Sequence, residues 1–449
     1  MVRTIVAEKT LDCEHLLGQF LDDRHFDYVV DEDCNFFAPP ICGLEEKSTC
    51  TNKDCSSCPK GVDEDTVIFI LRKNFFTEDE QLNALEGLKG AASISFNRGI
   101  AAGPREETDS DREWVTDLQL DVLDYFSNPS KNLFDEDSVS EIYDRYTNVK
   151  DAPSTRGYVW LTSKMKADEF EFDTWANDVK NMPQEQQIEE AEKIKQKYIS
   201  NTNYAGAVHS GVAGWYDRYP RIPYGRATSY TEKNPEKFSL AYPFLQKLSK
   251  AFSTILPRRW AFQKSCIERI DPEFHVPDTV FTTITVNKTF RTAAHRDAGD
   301  LHQGFSNLSV LTNGKKYSGG MLVLPEFRVA VNVRPGDLLL INNHGGIHGN
   351  TPIVLEEDGA ERYSVVCYFR EKMLELGAKI YEDARYKFVE FRRNNKDHPE
   401  WRSMWNGTSP GMWKSKEWYD FLENELGKDM VAKYHPESIE STISMDEFF

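Results

Sequence analysis

The chain has 449 residues, 39% of them hydrophobic and 28% charged, an ordinary globular balance with material for two or three domains and a sizeable core. Its formal net charge of -19 excludes a surface that coats nucleic acid over its whole extent, so any DNA contact needs a local basic groove. No apolar run nears the roughly 18 residues that span a bilayer, MVRTIVAEKTLDCEH lacks an apolar signal core, and eight cysteines do not make a disulfide scaffold in a chain this long; the expectation is a soluble, intracellular protein with no membrane partner.

Residues 1 to about 60 read as irregular. Within them, CGLEEKSTCTNKDCSSCP presents Cys42, Cys50, Cys55 and Cys58. Four thiolates satisfy a tetrahedral zinc site, and Cys55 and Cys58 have knuckle spacing. The first two intervals are irregular for a finger, so free thiols in a loop are the alternative. VDEDTVIFILRKNFFTEDEQLNALEGLKG reads as strand, turn and helix with Thr77 as cap. GPREETDSDREW is a charged loop, and 113–146 look helical. TWANDVKNMPQEQQIEEAEKIKQKYIS is helical, broken at Pro183. A Gly-, Pro- and Tyr-rich loop is expected over 204–231, then a helix in NPEKFSLAYPFLQKLSKAFSTIL. From 280 to 371 short strands follow one another between turn signals such as NGKKYSGG and RPGD, the texture of a sandwich or barrel. Residues 376–449 are helical and Trp-rich with an acidic tail. The expected division is 1–150 as an N-terminal region with the Cys cluster, 151–375 as the catalytic domain, and 376–449 as a helical region.

The chemistry concentrates in RTAAHRDAGD, residues 291–300. This stretch follows TTITVNKTF, which alternates like a half-buried strand, and strand alternation points His295 and Asp297 the same way. An imidazole beside a carboxylate binds a divalent metal when a third ligand joins. DLLLINNHGGIHGNTP offers His344 and His348, with His348 favoured because its HG step closes the strand one turn on. Two His and one carboxylate on one face of an octahedron leave open positions, as in non-haem Fe(II) oxygenases. Arg362 and Ser364 then open a strand, two apart on one face, and an Arg fork beside a hydroxyl suits a carboxylate. Blander readings exist for each: HxD as a surface pair, the histidines as turn residues, Arg362 in a salt bridge with Glu361 or Glu356. Each is commoner alone; His, Asp, His and Arg together in the strand-rich segment favour a site.

Other residues stay open between two roles. Asp300 caps the turn or makes a polar contact on the substrate side of the metal. Asn287 and Arg291 contact co-substrate or base, or pair across the sheet. In WYDRYPRIPYGR, Arg218, Arg221 and Arg226 lie among Trp215, Tyr216, Tyr219 and Tyr224. That mixture suits phosphate contact and base stacking, or is a solvated Pro-rich loop. Lys315 and Lys316 reach a nucleic-acid backbone or keep an edge turn soluble. Cys266 and Cys367 read as core residues.

TTITVNKTFRTAAHRDAGDLHQGFSNLSVL, GGMLVLPEFRVAVNVRPGDLLLINNHGGIHGNTP and RYSVVCYFRE resemble the Fe(II)/2-oxoglutarate dioxygenases of the TET/JBP family, as does AVHSGVAGWYDRYPRIPYGRATSYTEKN. The likeness covers roughly residues 200 to 373. It implies an α+β protein whose core is a double-stranded β-helix, or jelly roll, flanked by helices, with extra N- and C-terminal regions. It implies that His295, Asp297 and His348 hold iron, and that Arg362, with Ser364 beside it, binds the distal carboxylate of 2-oxoglutarate. It implies oxidation of the 5-methyl group of thymine or 5-methylcytosine in DNA, with O2 and 2-oxoglutarate consumed and ascorbate admitted as reductant or co-substrate. A stacked base is out of reach of a buried metal, so the nucleotide must be flipped or single-stranded. DNA as substrate implies the nucleus if the source is a eukaryote. Two other functions compete: the same chemistry on a free small molecule or protein side chain, and a binding module that has lost catalysis. The intact His, Asp, His and Arg argue against the last.

Overall fold

A computed structural model describes residues 2–9, 11–39, 64, 66–95, 98–103, 208–219, 222–401, 404 and 406–435, with a few residues between 178 and 193. The Cys42, Cys50, Cys55 and Cys58 cluster, the helices expected over 113–146 and Arg221 lie outside the described residues. The chain divides into two compact units, residues 1–95 with 208–449 and residues 96–207. The first holds every element named below.

In chain order the strands and helices are β1 (Arg3–Val6), β2 (Tyr28–Val30), β3 (Cys34–Phe37), β4 (Val67–Arg72), α1 (Glu78–Leu88), β5 (Ile94–Ser95), β6 (Val208–Tyr216) and β7 (Arg226–Ala227). Then come α2 (Ser229–Lys233), α3 (Pro235–Ser239), α4 (Tyr242–Ile255), α5 (Pro257–Ile267), β8 (Thr283–Lys288), β9 (Ser306–Thr312), β10 (Tyr317–Gly319), β11 (Leu322–Leu324) and β12 (Val329–Val331). The chain continues through β13 (Leu338–Ile341), β14 (Gly349–Asn350), β15 (Ile353–Leu355), β16 (Arg362–Tyr368), α6 (Lys379–Asn394), α7 (Lys416–Leu426) and α8 (Lys428–Tyr434).

A ten-stranded sheet runs β1-β3-β4-β13-β9-β16-β8-β6-β5, with β7 on β6. A four-stranded sheet runs β14-β11-β12-β2, and β10 pairs with β15. The four-stranded sheet buries Val30, Leu322, Leu324, Val329 and Val331 against Phe36, Phe69, Leu71, Leu308, Leu339 and Ile341 of the large one. Alternation places these residues on facing sides, with a period of two along each strand. Phe36 and Phe69 stack at 4.8 Å and Phe327 meets Phe36 edge-on at 5.6 Å. Helices α1 to α5 cover the opposite face of the large sheet. In α4, Phe244, Leu245, Leu248, Ala251 and Phe252 are buried, the one-faced stripe of a 3.6-residue period. Thr77 caps α1 as expected: the Glu80 N–H donates to Thr77 Oγ1 at 3.4 Å, and Thr77 N–H donates back to Glu80 Oε2 at 2.8 Å.

The structure differs from the sequence reading in three places. The described residues up to 39 are not simply irregular, and residues 1–95 are not apart from the strand-rich core: β3 and β4 extend the large sheet beside β13, with Leu71 opposite Leu339, while β2 pairs in parallel with β12. Residues 204–231 are not all loop, because β6 is a nine-residue strand beside β8. Its glycines hide it from a propensity reading yet serve close packing. A Cβ on Gly211 would sit 1.8 Å from the Ala91 carbonyl oxygen. Finally, β8 stops at Lys288, and Thr289 has a φ of 44°. His295 therefore lies on extended chain joined only by an isolated bridge to His348.

The C-terminal helices form their own core of Tyr381, Phe388, Trp418, Leu422 and Val431. Glu382, fully buried, ties this core to the segment after β6: its carboxylate pairs with Arg218 and accepts the N–H groups of Gly225 at 2.7 Å and Gly377 at 2.8 Å. Cys266 and Cys367 are buried and free. Among the described residues no helix is long and apolar enough to cross a membrane.

Phe36→Ala should cost roughly 3–5 kcal/mol of stability, because a fully buried ring in contact with two other aromatics leaves a cavity. Chemical denaturation checks it; a loss under about 1 kcal/mol would mean that β3 is not part of this core.

Candidate metal centre and its surroundings

Two segments meet at the centre. The His295 N–H donates to the His348 carbonyl and the His348 N–H to the His295 carbonyl, both at 2.9 Å. This reciprocal pair sets the imidazoles 4.4 Å apart between ring centroids. The approach needs a glycine next door, since a Cβ on Gly349 would lie 3.1 Å from the backbone of Ala293 and Ala294. The N-terminal segment supports the same chain: Gly18 N–H donates to Ala294 O and Ala294 N–H to Gln19 O, both at 2.8 Å. Buried Glu326 accepts the Ile347 N–H at 3.0 Å, one residue before His348.

His295, Asp297 and His348 each offer one ligand atom, and the three atoms lie within 4.8 Å of one another. Asp297 Oδ1 is 3.3 Å from His295 Nε2 and 3.9 Å from His348 Nε2. Each Nδ1 faces a backbone carbonyl, Ala293 at 2.8 Å and Gly346 at 3.1 Å. These carbonyls favour the tautomer that carries its proton on Nδ1, leaving Nε2 for a metal. His344 is not in the cluster; its ring packs edge-on against His302 at 4.7 Å.

The electrostatics suit a cation. Burial pushes the His348 pKa down to about 4, helped by the neighbouring His295 charge, so His348 is neutral and ready to ligate near pH 7. Burial also opposes charge on His295, but its hydrogen bond to Asp297 and the carboxylate charge raise its pKa overall. Burial would raise Asp297, yet both histidines and Asn343 hold it below the usual carboxylate range. Two imidazole nitrogens and one ionised carboxylate, fixed by backbone, fit a facially bound divalent ion.

Arg362 begins β16 and is 3% exposed. Its Nη2 donates to the Gly320 carbonyl at 3.1 Å, and no carboxylate pairs with it among the described residues. Glu361 turns instead to Lys288 and the Tyr363 hydroxyl. Burial lowers the Arg362 pKa; Tyr317 opposes that shift, and repulsion from Arg334 adds a smaller push downward. A buried guanidinium without a counter-charge is costly unless an anion joins it. Ser364 lies two residues on, on the same strand face. Its hydroxyl accepts from Asn287 Nδ2 at 3.2 Å, and the Asn287 carbonyl takes the Ser210 hydroxyl. Asn287 thus forms a polar rung across β6, β8 and β16 that orients Ser364.

Asp300 is buried, accepts the Ser306 hydroxyl at 2.9 Å, and lines a cleft with Asn343, His344 and Tyr368. Burial first, then the Asp297 charge, pushes its carboxyl up to about 8. Of the arginines offered for substrate, Arg218 is paired with Glu382 and Arg291 donates to the Leu21 carbonyl at 2.7 Å while lying over Phe20. Arg226 lies 5.1 Å from the Tyr216 ring centroid and makes no ion pair among the described residues. Lys315, in the turn between β9 and β10, donates to the Asp358 carbonyl in the turn between β15 and β16.

Some neighbours lie outside the sequence reading. Arg370 bonds Asp217 Oδ1 at 2.7 Å, lies 5.3 Å from the Tyr216 ring and bridges through its backbone to Asp300. Tyr368 reaches Thr285 Oγ1 at 3.3 Å. Their signal was available: 362, 364, 366, 368 and 370 share one parity. Tyr317, Arg334 and residues 14–19 carried none, since their sequence context reads as turn or loop.

Replacing His295, Asp297 or His348 by Ala should abolish stoichiometric Mn(II) or Fe(II) binding, read by metal analysis after gel filtration; His344→Ala should leave it intact. Affinity should rise with pH through the His295 titration, because a raised pKa means a proton must leave before Nε2 can ligate. Asp300→Asn should stabilise the metal-free protein more at pH 8 than at pH 5. The wild-type acid stays protonated when folded but ionises above about 4 when unfolded, so its contribution falls across that window. Equal melting shifts at both pH values would refute the assignment.

Residues 213–371 match the family model Tet_JBP, the oxygenase domain of the 2OGFeDO superfamily. Thymine dioxygenase JBP1-B of Trypanosoma cruzi (strain CL Brener) is 36% identical over 166 residues, 36% of this chain and 19% of that protein. The bifunctional helicase and thymine dioxygenase JBP2 of Leishmania braziliensis is 34% identical over 182 residues, 40% of this chain and 16% of that one. The chain thus spans under a fifth of the length of these curated relatives. A solved structure, NgTET1 in complex with 5mC DNA, aligns over 44% of this chain and 76% of that one at 15% identity and a TM-score of 0.33, too low a likeness to support an argument about fold. The match begins inside β6 and ends just past β16, enclosing the three-residue cluster and Arg362, and so it is over residues 213–371 that this chain is similar to the Tet_JBP oxygenase domain.

Proposed function

We propose that the chain is an Fe(II)- and 2-oxoglutarate-dependent dioxygenase that oxidises the 5-methyl group of a pyrimidine in DNA, and that its two facing sheets are a double-stranded β-helix. The observation that carries this reading is the pairing of a His-Asp-His cluster with a buried guanidinium that has no acid partner among the described residues. A metal site alone serves many reactions. A metal site with an anion anchor on the facing sheet suits a diacid that chelates at one end and is held at the other.

In this reading His295, Asp297 and His348 hold the ion on one face, and Arg362 pairs the far carboxylate of 2-oxoglutarate with Ser364 beside it. Bound there, iron, keto acid and O2 supply oxidative decarboxylation to succinate and CO2, with one oxygen atom going to the methyl carbon. The remaining work belongs to side chains. The apolar core between the sheets keeps water from the anion anchor. Asp300, largely protonated near neutral pH, presents a polar contact to the base in the cleft it shares with His344 and Tyr368. Arg226 and Arg370, both over Tyr216, supply positive charge beside an aromatic ring, the combination that receives a flipped nucleotide and its phosphate. The net charge of -19 confines DNA contact to this cationic patch. The thymine dioxygenase names of the relatives support a pyrimidine methyl group; thymine and 5-methylcytosine present it at the same ring position. In a eukaryote this substrate places the protein in the nucleus.

Anaerobic Fe(II) loading, then O2, 2-oxoglutarate and methylated oligonucleotides, should yield succinate together with oxidised pyrimidines by nucleoside mass spectrometry. His295→Ala and Asp297→Ala should each lower turnover by at least about a hundredfold. Succinate release unmoved by oligonucleotide but stimulated by a free small molecule would shift the substrate to the same chemistry outside DNA. Full turnover by either variant would overturn the iron mechanism.

A further inference from the structure

Tyr317 opens β10 with 5% exposure and packs into the core between the sheets. Its ring carries a guanidinium at 4.2 Å from Arg334 and a second at 5.9 Å from Arg362. Arg334 also donates to the Tyr317 carbonyl at 3.0 Å, so the ring is held from its own backbone side. Its hydroxyl neighbours the Arg362 guanidinium yet completes no hydrogen bond, and Arg362 Nε likewise has no partner among the described residues. Glycine at 320 makes room for Arg362 here: a Cβ on Gly320 would lie 3.0 Å from Nε and 3.4 Å from Cδ, and Gly320 has a φ of 69°.

Two orphaned buried donors side by side are costly, and native structures rarely keep them without a ligand. Both can donate, and the acceptor near them is the phenol oxygen that Arg362 faces; no carboxylate or carbonyl serves Arg362 Nε or the Tyr317 O–H among the described residues. The group that satisfies both is an anion with two oxygens. Arg362 Nε–H can serve one carboxylate oxygen and the Tyr317 O–H the same or the other.

We propose that Tyr317 is a second anchor for the far carboxylate of the keto acid, its hydroxyl donating to the carboxylate that Arg362 pairs, with Arg334 stacked on the ring to hold that hydroxyl in place. The inference rests on the co-substrate reading above and adds a residue to it. It also explains the NGKKYSGG hairpin, which delivers the aromatic ring to the anion end of the pocket.

The test uses the full chain with Mn(II) in place of iron, and calorimetric titration with three acids. 2-Oxoglutarate reads both ends of the site, glutarate only the carboxylate ends, and pyruvate only the chelating end. Tyr317→Phe keeps the ring and its stacking and removes the hydroxyl. It should weaken 2-oxoglutarate and glutarate roughly tenfold or more, the worth of a hydrogen bond to a charged group, and leave pyruvate unchanged. The same variant should melt at the same or a higher temperature without ligand, since an unpaired buried hydroxyl has been removed. A merely structural Tyr317 would lower the melting temperature and spare the affinities. Arg362→Gln should abolish glutarate binding. If Arg362→Gln does so while Tyr317→Phe binds all three acids as the wild type does, the second anchor is overturned and the co-substrate reading stands. If the wild type binds neither 2-oxoglutarate nor glutarate, that reading fails and this one with it.

Discussion

The site depends on one reciprocal pair of backbone hydrogen bonds, His295 to His348 and back. Neither residue belongs to a long strand, so no extended ladder enforces the contact. The surroundings enforce it instead: Gly349 allows the close approach, Gln19 and Gly18 hold Ala294, and Glu326 holds Ile347. The side-chain chemistry follows from this backbone. Once the two segments are fixed, local carbonyls orient both rings, and Asp297 needs only to sit two residues from His295 to complete the set. Precision in a metal site is usually a matter of what holds the ligands, and here main chain does most of the holding.

Positive charge is organised in an unusual way for so acidic a chain. Arg362 and Arg334 bracket Tyr317, and Arg226 and Arg370 lie over Tyr216. Each pair places like charges near each other on an aromatic ring, which offsets part of the repulsion through the ring's electron-rich face. The first pair lies at the core between the sheets and the second beside the Asp300 cleft. A protein that is negative overall thereby keeps local positive fields, suited to anions, at two places.

The legibility of this molecule in its sequence varied with the range of the interactions involved. The closeness of His295 to Asp297 and the shared strand of Arg362 and Ser364 were readable because they lie in short intervals, where residue type and spacing suffice. His348 was separable from His344 only as a preference, which the geometry settled as far as proximity goes. The first three strands were not readable. YVV and CNFF are too short to show a period. Val29 of β2 finds its partner in Ala330 of β12, at the far end of the chain, so nothing local marks that segment as a strand. The β6 strand failed for the opposite reason. Its SGVAG core looks like a loop, yet Gly211 is small because the Ala91 carbonyl lies against it. Arg218 and Arg291 looked available because sequence cannot show a buried Glu382 or a backbone carbonyl waiting for them.

The seating of β4 against β13 has a consequence for how the chain is made. Leu71 pairs opposite Leu339, so during synthesis the early strands leave the ribosome long before their neighbour exists. Through that interval their apolar faces and hydrogen-bonding edges stay open, the circumstance in which β-rich nascent chains stick to one another. Folding of this molecule is therefore expected to begin with the helices α4 and α5, whose contacts are local, and to finish only after β13 emerges, with chaperones shielding the waiting segment meanwhile.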